Sequence, residues 1–371
     1  MLLRKLLPVV LIALLILAAC GQPAEPAPTE TEEEAAAGVT EEETEEAEAA
    51  EEAAAATEAP AAEEGEAAEG LTPVTVMLDW VPNTNHIGLF VAEAQGYYEE
   101  QGLSVEIIQP ADVAVEQVVA SGTAHFGISF QEQVTFNRAS GVPIVSVAAI
   151  IQHNTSGFAA LAEKGIETPA DLAGLRYGAF GSPIEEATLD LLLDCFDADA
   201  STIEFINVGY DLMPLLERDE IDFAWIFYAW DGLRAELRGI ELTVLMLADY
   251  SDCVPDYYTP VLIAGEDLLE ENPDLVRAFM AAVTQGYEYA IENPAEAADI
   301  LIEAAPELEA ERELVQASLE WLAPRFQDDA PRWGEQTLEV WQEYAGFLRN
   351  SGILEGEFDP EAAFTNDFLP E

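Results

Sequence analysis

The stretch from residue 74 to residue 98 constrains the fold more than any other part of this 371-residue chain. The alternating, β-branched run at 74–78 predicts a strand, and the apolar run at 88–98 predicts a helix stopped by Gly96. A turn rich in Pro and Asn lies between them. In open α/β sheets, ligands bind at the loops that follow the carboxyl ends of strands, so this turn is a candidate binding loop.

Trp80 lies at the tip of the predicted strand, where its ring is expected to face a cleft. The side chains of Asn83 and Asn85 can cap the following helix and can also donate hydrogen bonds to a ligand. The alternative is a Trp80 that packs in a core and asparagines that only cap. The turn alone leaves both interpretations open.

The same strand–helix alternation continues along most of the chain. Further strands are predicted at 105–108, 124–129, 144–151, 176–180, 203–208, 223–227 and 257–263, and helices at 113–121, 131–139, 183–196, 212–217, 233–238, 273–292, 294–304, 309–321 and 334–350. Such alternation implies a largely parallel sheet with helices on both faces. The length exceeds what one core usually serves, so two lobes are expected.

The first 70 residues are predicted to lie outside this fold. Residues 1–20 combine two basic residues, an apolar run too short for a comfortable membrane span, and the sequence Leu-Ala-Ala-Cys ending at Cys20. This resembles a bacterial lipoprotein signal peptide, with Cys20 as the lipidated residue. Residues 21–70 contain 18 Glu and no Lys or Arg, which predicts a disordered acidic tether.

Charge, cysteine content and histidine spacing limit the ligands, cross-links and metal sites that are expected. The net charge of −60 should repel nucleic acid and disfavours a strongly anionic ligand. Export would permit a disulfide between Cys195 and Cys253, although the sequence also allows two free thiols. The three histidines match no metal-ligand spacing, so neither a metal nor a cofactor is expected.

Catalytic motifs are not recognisable, whereas aromatic residues follow several predicted strands. We find no phosphate-binding glycine loop and no G-x-S-x-G nucleophile motif. Trp80, Tyr228, Trp230, Tyr257 and Tyr258 fall at strand tips, where flat rings can stack on a flat ligand. Neutral polar residues occur at similar positions. This combination favours binding of a neutral heteroaromatic molecule over catalysis.

Motifs spread over residues 74–350 give a specific resemblance. They are L-D-W-x-P-N-T-N-H-x-G at 78–88, A-Q-G-Y-Y at 94–98, G-x-A-x-F-G at 122–127, G-V-P-I-V at 141–145, D-L-x-G at 171–174 and N-P-x-L-V-x-x-F at 272–279. In these motifs the chain resembles the SsuA/THI5-like (NMT1) solute-binding proteins of ATP-driven importers, a group that includes sulfonate, nitrate, thiamine-pyrimidine and riboflavin binders.

The resemblance implies a two-lobed periplasmic-binding-protein type II fold with the ligand in a cleft. Residues 71–160 and 257–371 would form the first lobe, and residues 161–256 the second. The hinge crossovers are expected near 157–161 and 256–261. It also implies a lipid anchor on the extracytoplasmic face of the cell membrane, and a permease and ATPase as partners.

Within this family, the turn at 79–86 and the aromatic segments at 227–232 and 256–260 resemble the riboflavin binders most. A riboflavin-binding import subunit is therefore expected, and an aminopyrimidine precursor of thiamine is the alternative ligand. The predicted ligand-binding residues are Trp80, Asn83, Asn85, His86, Gln131, Ser182, Glu185, Tyr228, Trp230, Asp231 and Tyr258. Asp231 or Glu185 would pair with an exocyclic amine, although Glu185 also fits a helix-capping role.

A pyrimidine synthase of the same fold is a remote alternative. The fungal-type synthase carries a Lys and a His just after the strand that here is followed by Phe130-Gln131-Glu132-Gln133, and neither residue is present. Its cysteine-rich run would fall near Cys253, where one cysteine remains. These departures predict a protein that is not an enzyme. The sequence leaves open the affinity, the identity of the permease and the number of membranes.

Overall fold

A computed structural model describes residues 70–110, 113–209 and 212–371. The predicted signal peptide, the lipidation of Cys20 and the acidic tether lie outside these residues. Among the helices that are described, none has the length and apolar character needed to cross a membrane.

The first sheet has five strands in the order β2-β1-β3-β10-β4. Its strands are β1 (Thr72–Met77), β2 (Leu103–Ile108), β3 (Phe126–Ser129), β4 (Ile144–Ala149) and β10 (Val261–Gly265). β1 pairs in parallel with β2 and β3, and β10 runs antiparallel between β3 and β4.

The second sheet repeats this plan in the order β7-β6-β8-β5-β9. Its strands are β5 (Ser156–Leu161), β6 (Arg176–Ala179), β7 (Glu204–Asn207), β8 (Phe223–Phe227) and β9 (Leu242–Met246). β6 is parallel to β7 and β8, whereas β5 is antiparallel to both of its neighbours. In each sheet one strand runs opposite to the other four. It is β10 in the first sheet and β5 in the second, and each comes directly after the chain has passed over from the other sheet. The α/β class that the sequence predicts is confirmed. The sheets are mixed and not largely parallel, because the reversed strand lies inside each sheet and makes four of the eight strand pairs antiparallel.

Twelve α-helices cover the sheets in the described part of the chain. They are α1 (Ile87–Ala94), α2 (Tyr97–Glu100), α3 (Val115–Ala120), α4 (Gln131–Ala139), α5 (Pro183–Asp194), α6 (Met213–Glu217), α7 (Leu233–Leu237), α8 (Glu266–Glu271), α9 (Pro273–Glu292), α10 (Pro294–Ala304), α11 (Arg312–Leu322) and α12 (Leu338–Asn350). Helix α9 buries the face that carries Val276, Phe279, Met280 and Val283 against α1 and the first sheet.

The chain passes between the sheets twice, at 150–155 and at 247–260. The segment 157–161, which the sequence suggested as a crossover, forms most of β5 and pairs within the second sheet. The predicted strand at 257–263 begins only at Val261, because the backbone N–H and carbonyl of Tyr258 both bond to Gln131 at the start of α4. β9 has no counterpart among the predicted strands.

A close backbone contact fixes α1 against α9. A Cβ atom on Gly286 would lie 2.0 Å from the carbonyl oxygen of Gly88, and one on Gly88 would lie 2.1 Å from the Tyr287 ring. Neither position has room for a side chain. Because α1 begins where the turn after β1 ends, this contact also sets the position of that turn.

Replacement of Gly286 by alanine should therefore destabilise the first lobe. The added methyl group meets backbone and not a flexible side chain, so the helices must separate, at a cost of about 2 kcal/mol. Urea unfolding of the variant would measure this loss. Gly346→Ala on α12 is the matched control, since a Cβ there meets nothing within 4 Å. Equal stability of the two variants would contradict the packing argument.

Cys195 and Cys253 form a disulfide across 58 residues of sequence. It joins the end of α5 to the second passage between the sheets. The sequence left this pairing open, because it could not show whether the two residues approach each other. The bond closes a long loop, which restricts the unfolded chain and stabilises the second lobe.

Candidate functional site

Strand pairing brings the predicted tips together at one edge of each sheet. Met77 pairs with Gly127, and Val261 pairs with both Ser129 and Ala149, so the segments after β1, β3 and β4 and before β10 meet at one edge. We call segments 79–86, 130–132, 150–155 and 256–260 the first rim. In the second sheet, the segments 180–182 and 228–232, which follow β6 and β8, form the second rim. Since the two passages connect these rims, we expect a ligand cleft between them.

The turn after β1 is held by hydrogen bonds of its own. His86 is fully buried; its Nδ1 accepts from the backbone N–H of Asn83 at 3.3 Å, which leaves Nε2 to donate to Asp79 Oδ1 at 2.6 Å. The Asn83 side chain accepts from the backbone N–H of Asn85 at 2.9 Å and donates to the carbonyl of Val81 at 3.1 Å. Asn83 and His86 thus form a capping box, the capping role left open above.

Two helices of the first lobe anchor this turn. The Tyr287 hydroxyl on α9 donates to the carbonyl of Asn85 at 2.7 Å, and Thr84 and Ser318 on α11 share a hydrogen bond of 2.7 Å. Trp80 and Val81 are the exposed side chains of this turn, with 56% and 46% of their surfaces accessible. A large exposed ring on a rigid turn is available to a ligand without prior rearrangement.

Gln131 and Tyr258 join two other parts of the first rim. Gln131 is fully buried, and its Oε1 accepts from the backbone N–H of Tyr258 at 2.7 Å. The Tyr258 hydroxyl accepts from the backbone N–H of Thr337 at 2.9 Å. Both side chains therefore fix the segment that precedes β10, and their polar atoms have protein partners.

The second rim is organised around Glu185. This buried carboxylate accepts hydrogen bonds from the Tyr177 hydroxyl at 2.6 Å and from three backbone N–H groups of residues 180–182 at 2.7–3.0 Å. Ser182 caps α5 and completes a capping box with Glu185, as the sequence predicts. Burial first, then the charge of Glu185, raises the pKa of Tyr177 well above its usual range. With four donors in place, Glu185 acts mainly to shape the loop.

Tyr228, Trp230 and Asp231 form a single wide turn after β8, and all three have partners. The Tyr228 ring lies 5.2 Å from the Trp321 ring of α11, so this turn contacts the first lobe. The Arg234 guanidinium lies 5.1 Å from the Trp230 ring centroid. Asp231 accepts from the backbone N–H of Phe227 at 3.2 Å, and burial raises its pKa.

Charged groups connect the two passages between the sheets. Asp256 accepts from the backbone N–H of Asn154 at 2.9 Å and lies 2.6 Å from His153 Nδ1, while His153 Nε2 lies 3.2 Å from Asp329. The hydrogen bond to Asp256 raises the pKa of His153 to about 9. Although His153, Asp328 and Asp329 have ligand atoms within 4.8 Å of one another, an imidazole protonated at neutral pH is a poor metal ligand.

Several side chains that were not predicted as site residues have unusual environments in the structure. Glu132 Oε2, Asn154 Nδ2 and the Tyr344 hydroxyl are buried without a hydrogen-bond partner among the described residues. Burial raises the pKa of Glu132 to about 7. Phe227 is 47% exposed at the second rim, on the strand face that also carries the buried Phe223 and Trp225. Strand alternation could have identified Phe227, but nothing in so acidic a sequence marks Glu132.

Comparison with known proteins identifies the family. Residues 83–297 match the family described as "NMT1/THI5 like", which is more than half of the chain. The chain belongs to the NMT1/THI5-like family. The predicted family resemblance is therefore confirmed.

Relatives in this family include both binding proteins and synthases. The chain is 32% identical to the formylaminopyrimidine-binding protein of Halalkalibacterium halodurans, over 80% of this chain and 91% of that one. It is 26% identical to the riboflavin-binding protein RibY of Chloroflexus aurantiacus, over 81% and 87% of the two chains. It is also 26% identical to a 4-amino-5-hydroxymethyl-2-methylpyrimidine phosphate synthase of Legionella pneumophila, over 80% and 92%.

Solved structures confirm the predicted fold. The aliphatic sulphonate-binding protein SsuA of Escherichia coli superposes with a TM-score of 0.62, covering 81% of this chain and 94% of that one at 13% identity. At that identity the likeness concerns architecture alone. This NMT1/THI5-like chain thus has the fold of the SsuA-type periplasmic binding proteins.

Proposed function

We propose that this protein is the extracytoplasmic substrate-binding subunit of an ABC importer and that it binds an aminopyrimidine related to the thiamine pyrimidine. The observation that carries the proposal is Trp80, an exposed ring on a turn that six hydrogen bonds in and around it hold in place. An exposed indole ring can stack on one six-membered ring. The 32% identity to a formylaminopyrimidine-binding protein supports the same ligand class.

Riboflavin is the second candidate, supported by the identity to RibY. A tricyclic ring such as that of riboflavin can use more stacking area than a single pyrimidine. In the structure, Tyr228 packs on Trp321 and Trp230 lies beside Arg234. These two rings thus already have partners, whereas Trp80 is exposed, and the pyrimidine becomes the better-supported ligand.

The remaining parts of the proposal follow from the sequence of the first 70 residues. The lipoprotein-like signal would place Cys20 in the membrane surface as a lipid anchor, and the tether would let the two lobes reach a permease and its ATPase. Closure of the lobes around the ligand would be a hinge motion about 150–155 and 247–260.

An enzyme, the pyrimidine synthase, is the other functional class to be tested. In the proposed binding protein, His86 is a structural residue, since it is fully buried and bonded to Asp79 and Asn83. Formation of a pyrimidine phosphate by the purified protein with added iron, lost on replacement of His86, would favour the synthase. We expect no product from the unmodified protein or from the His86 variant.

Calorimetric titration of the full-length protein with formylaminopyrimidine tests the proposal, with riboflavin followed in parallel by flavin fluorescence. We expect sub-micromolar binding of the pyrimidine and at least 100-fold weaker binding of riboflavin. The reverse order would replace the pyrimidine with riboflavin. Absence of binding by both would reject the proposed ligand class.

A further inference from the structure

Glu132 occupies a position in the first rim where its carboxyl group meets few partners. It lies in the first turn of α4, which starts at Gln131 directly after β3. β3 pairs with β1, so α4 begins one strand away from the turn that carries Trp80. The Oε2 atom is buried and makes no hydrogen bond to the part of the chain described here.

Asn154 presents a complementary group from the first passage between the sheets. Its side chain is 3% exposed, and its Oδ1 accepts from the backbone N–H of Ser156 at 2.7 Å and from the Ser156 hydroxyl at 2.6 Å. These two bonds fix the amide plane. The Nδ2 atom is buried and meets no acceptor with hydrogen-bond geometry among the described residues.

Tyr257 connects the surroundings of these two groups. Burial raises the pKa of its hydroxyl well above the usual range; the charge of Glu132 acts in the same direction, and the Asn154 amide acts against it. Asn154 thus approaches the Tyr257 hydroxyl without a hydrogen bond of good geometry, and the charge of Glu132 acts on the same hydroxyl. The Tyr257 ring stacks on the Tyr344 ring of α12 at 4.3 Å, which closes this region on the side of the first lobe.

Glu185 and Asp231, the carboxylates predicted from the sequence to pair with an exocyclic amine, already have partners within the protein. Glu185 accepts four hydrogen bonds, and Asp231 accepts one from backbone and lies 4.0 Å from Arg234. Asp79 is bonded to His86. Glu132 is the rim carboxyl group with an unused buried oxygen. Buried polar groups are normally paired, so an unpaired acceptor and an unpaired donor in one region indicate a missing partner.

We propose that Glu132 and Asn154 bind the nitrogen edge of the ligand, an inference that rests on the function proposed above. Glu132 accepts a hydrogen bond from the exocyclic amine, and Asn154 Nδ2 donates to a ring nitrogen. Trp80 then supplies the stacking surface, and the two polar groups set the orientation of the ring. Acceptor and donor together match the alternating pattern of an aminopyrimidine edge.

Two ligands and two variants test this assignment in the full-length protein by calorimetry. The ligands are 4-amino-5-hydroxymethyl-2-methylpyrimidine and the same compound without the 4-amino group. Glu132→Met should weaken binding of the amine at least tenfold and change binding of the analogue less than threefold. Asn154→Asp keeps the acceptor for Ser156 and removes the donor, so it should weaken both ligands about tenfold.

Glu186→Met is the matched control, because Glu186 also lies in the first turn of a rim helix, α5, but is exposed. It should bind both ligands as the unmodified protein does. Unchanged amine binding by Glu132→Met, or equal loss of both ligands, would overturn the assignment while leaving the proposed function standing. If the unmodified protein binds neither pyrimidine, the proposed function fails and the assignment fails with it.

Discussion

Replacing Trp80 with alanine should weaken aminopyrimidine binding about 100-fold and leave the free energy of unfolding within about 0.5 kcal/mol of the original. The two effects separate because the ring is 56% exposed in the ligand-free protein and so contributes little to the core. On binding, one ring face would be removed from water, which accounts for most of the loss in affinity. Calorimetry and urea unfolding on the same preparation would measure both quantities.

Two further variants control this experiment. Trp80→Phe keeps a smaller stacking surface and should recover most of the affinity. Val81→Ala removes another exposed apolar side chain from the same turn, 46% exposed, and should leave binding unchanged. If Trp80→Ala binds normally, the ring lies outside the site. If it instead lowers the stability by several kcal/mol, Trp80 is part of the core, as the alternative interpretation held.

The architecture was predictable because its signals are local and repeated. Apolar runs of strand length alternate with longer amphipathic runs, and glycine or proline marks their ends, so most helices and strands were predicted close to their observed positions. β5 and β9 were not predicted as strands. β5, at Ser156–Leu161, is rich in Gly and Ala, and its extended form depends on pairing with β8 and β9. Tertiary pairing of this kind overrides a weak local preference.

The polar part of the site was less predictable, because capping and ligand binding use the same residue types. Short polar side chains at strand ends satisfy free backbone N–H groups as readily as they bind a solute. Asn83, His86 and Ser182 turned out to hold their own loops, and Gln131 and Tyr258 hold the passage before β10. Whether they also touch a ligand stays a prediction.

Glu132 was also not predicted as a site residue. The chain contains 73 acidic residues, so an acidic residue carries no signal by itself. What distinguishes Glu132 is a buried oxygen without a partner, a property that arises only in the folded chain. Sequence periodicity gives the path of the backbone here but not which polar atoms remain unpaired.

Glu132 should make the ligand-free protein less stable as the pH rises from about 5 to 8. Burial, with a smaller contribution from Glu116, raises its pKa from 4.5 to about 7, so the native state holds a proton that the unfolded chain has released. Stability falls with pH wherever the native state binds more protons, and the loss approaches about 3 kcal/mol above pH 7. Tyr257 and Tyr344 also face this group, but burial raises the pKa of both well above 10, so they stay neutral in this range.

Glu132→Gln removes the titrating group, so the variant should be about 2 kcal/mol more stable than the original at pH 8 and nearly equal at pH 5. Urea unfolding at the two pH values measures this difference, and Glu186→Gln should show no such change. The affinity for an aminopyrimidine should rise as the pH rises toward 7 and level off above it, because the ionised carboxyl group accepts the hydrogen bond of the exocyclic amine more strongly than the protonated one does. A pH-independent affinity together with a pH-independent stability difference would show that Glu132 is charged at neutral pH. A carboxylate that costs stability in the empty protein and gains a partner in the complex would explain why an unpaired acidic side chain lies at the first rim.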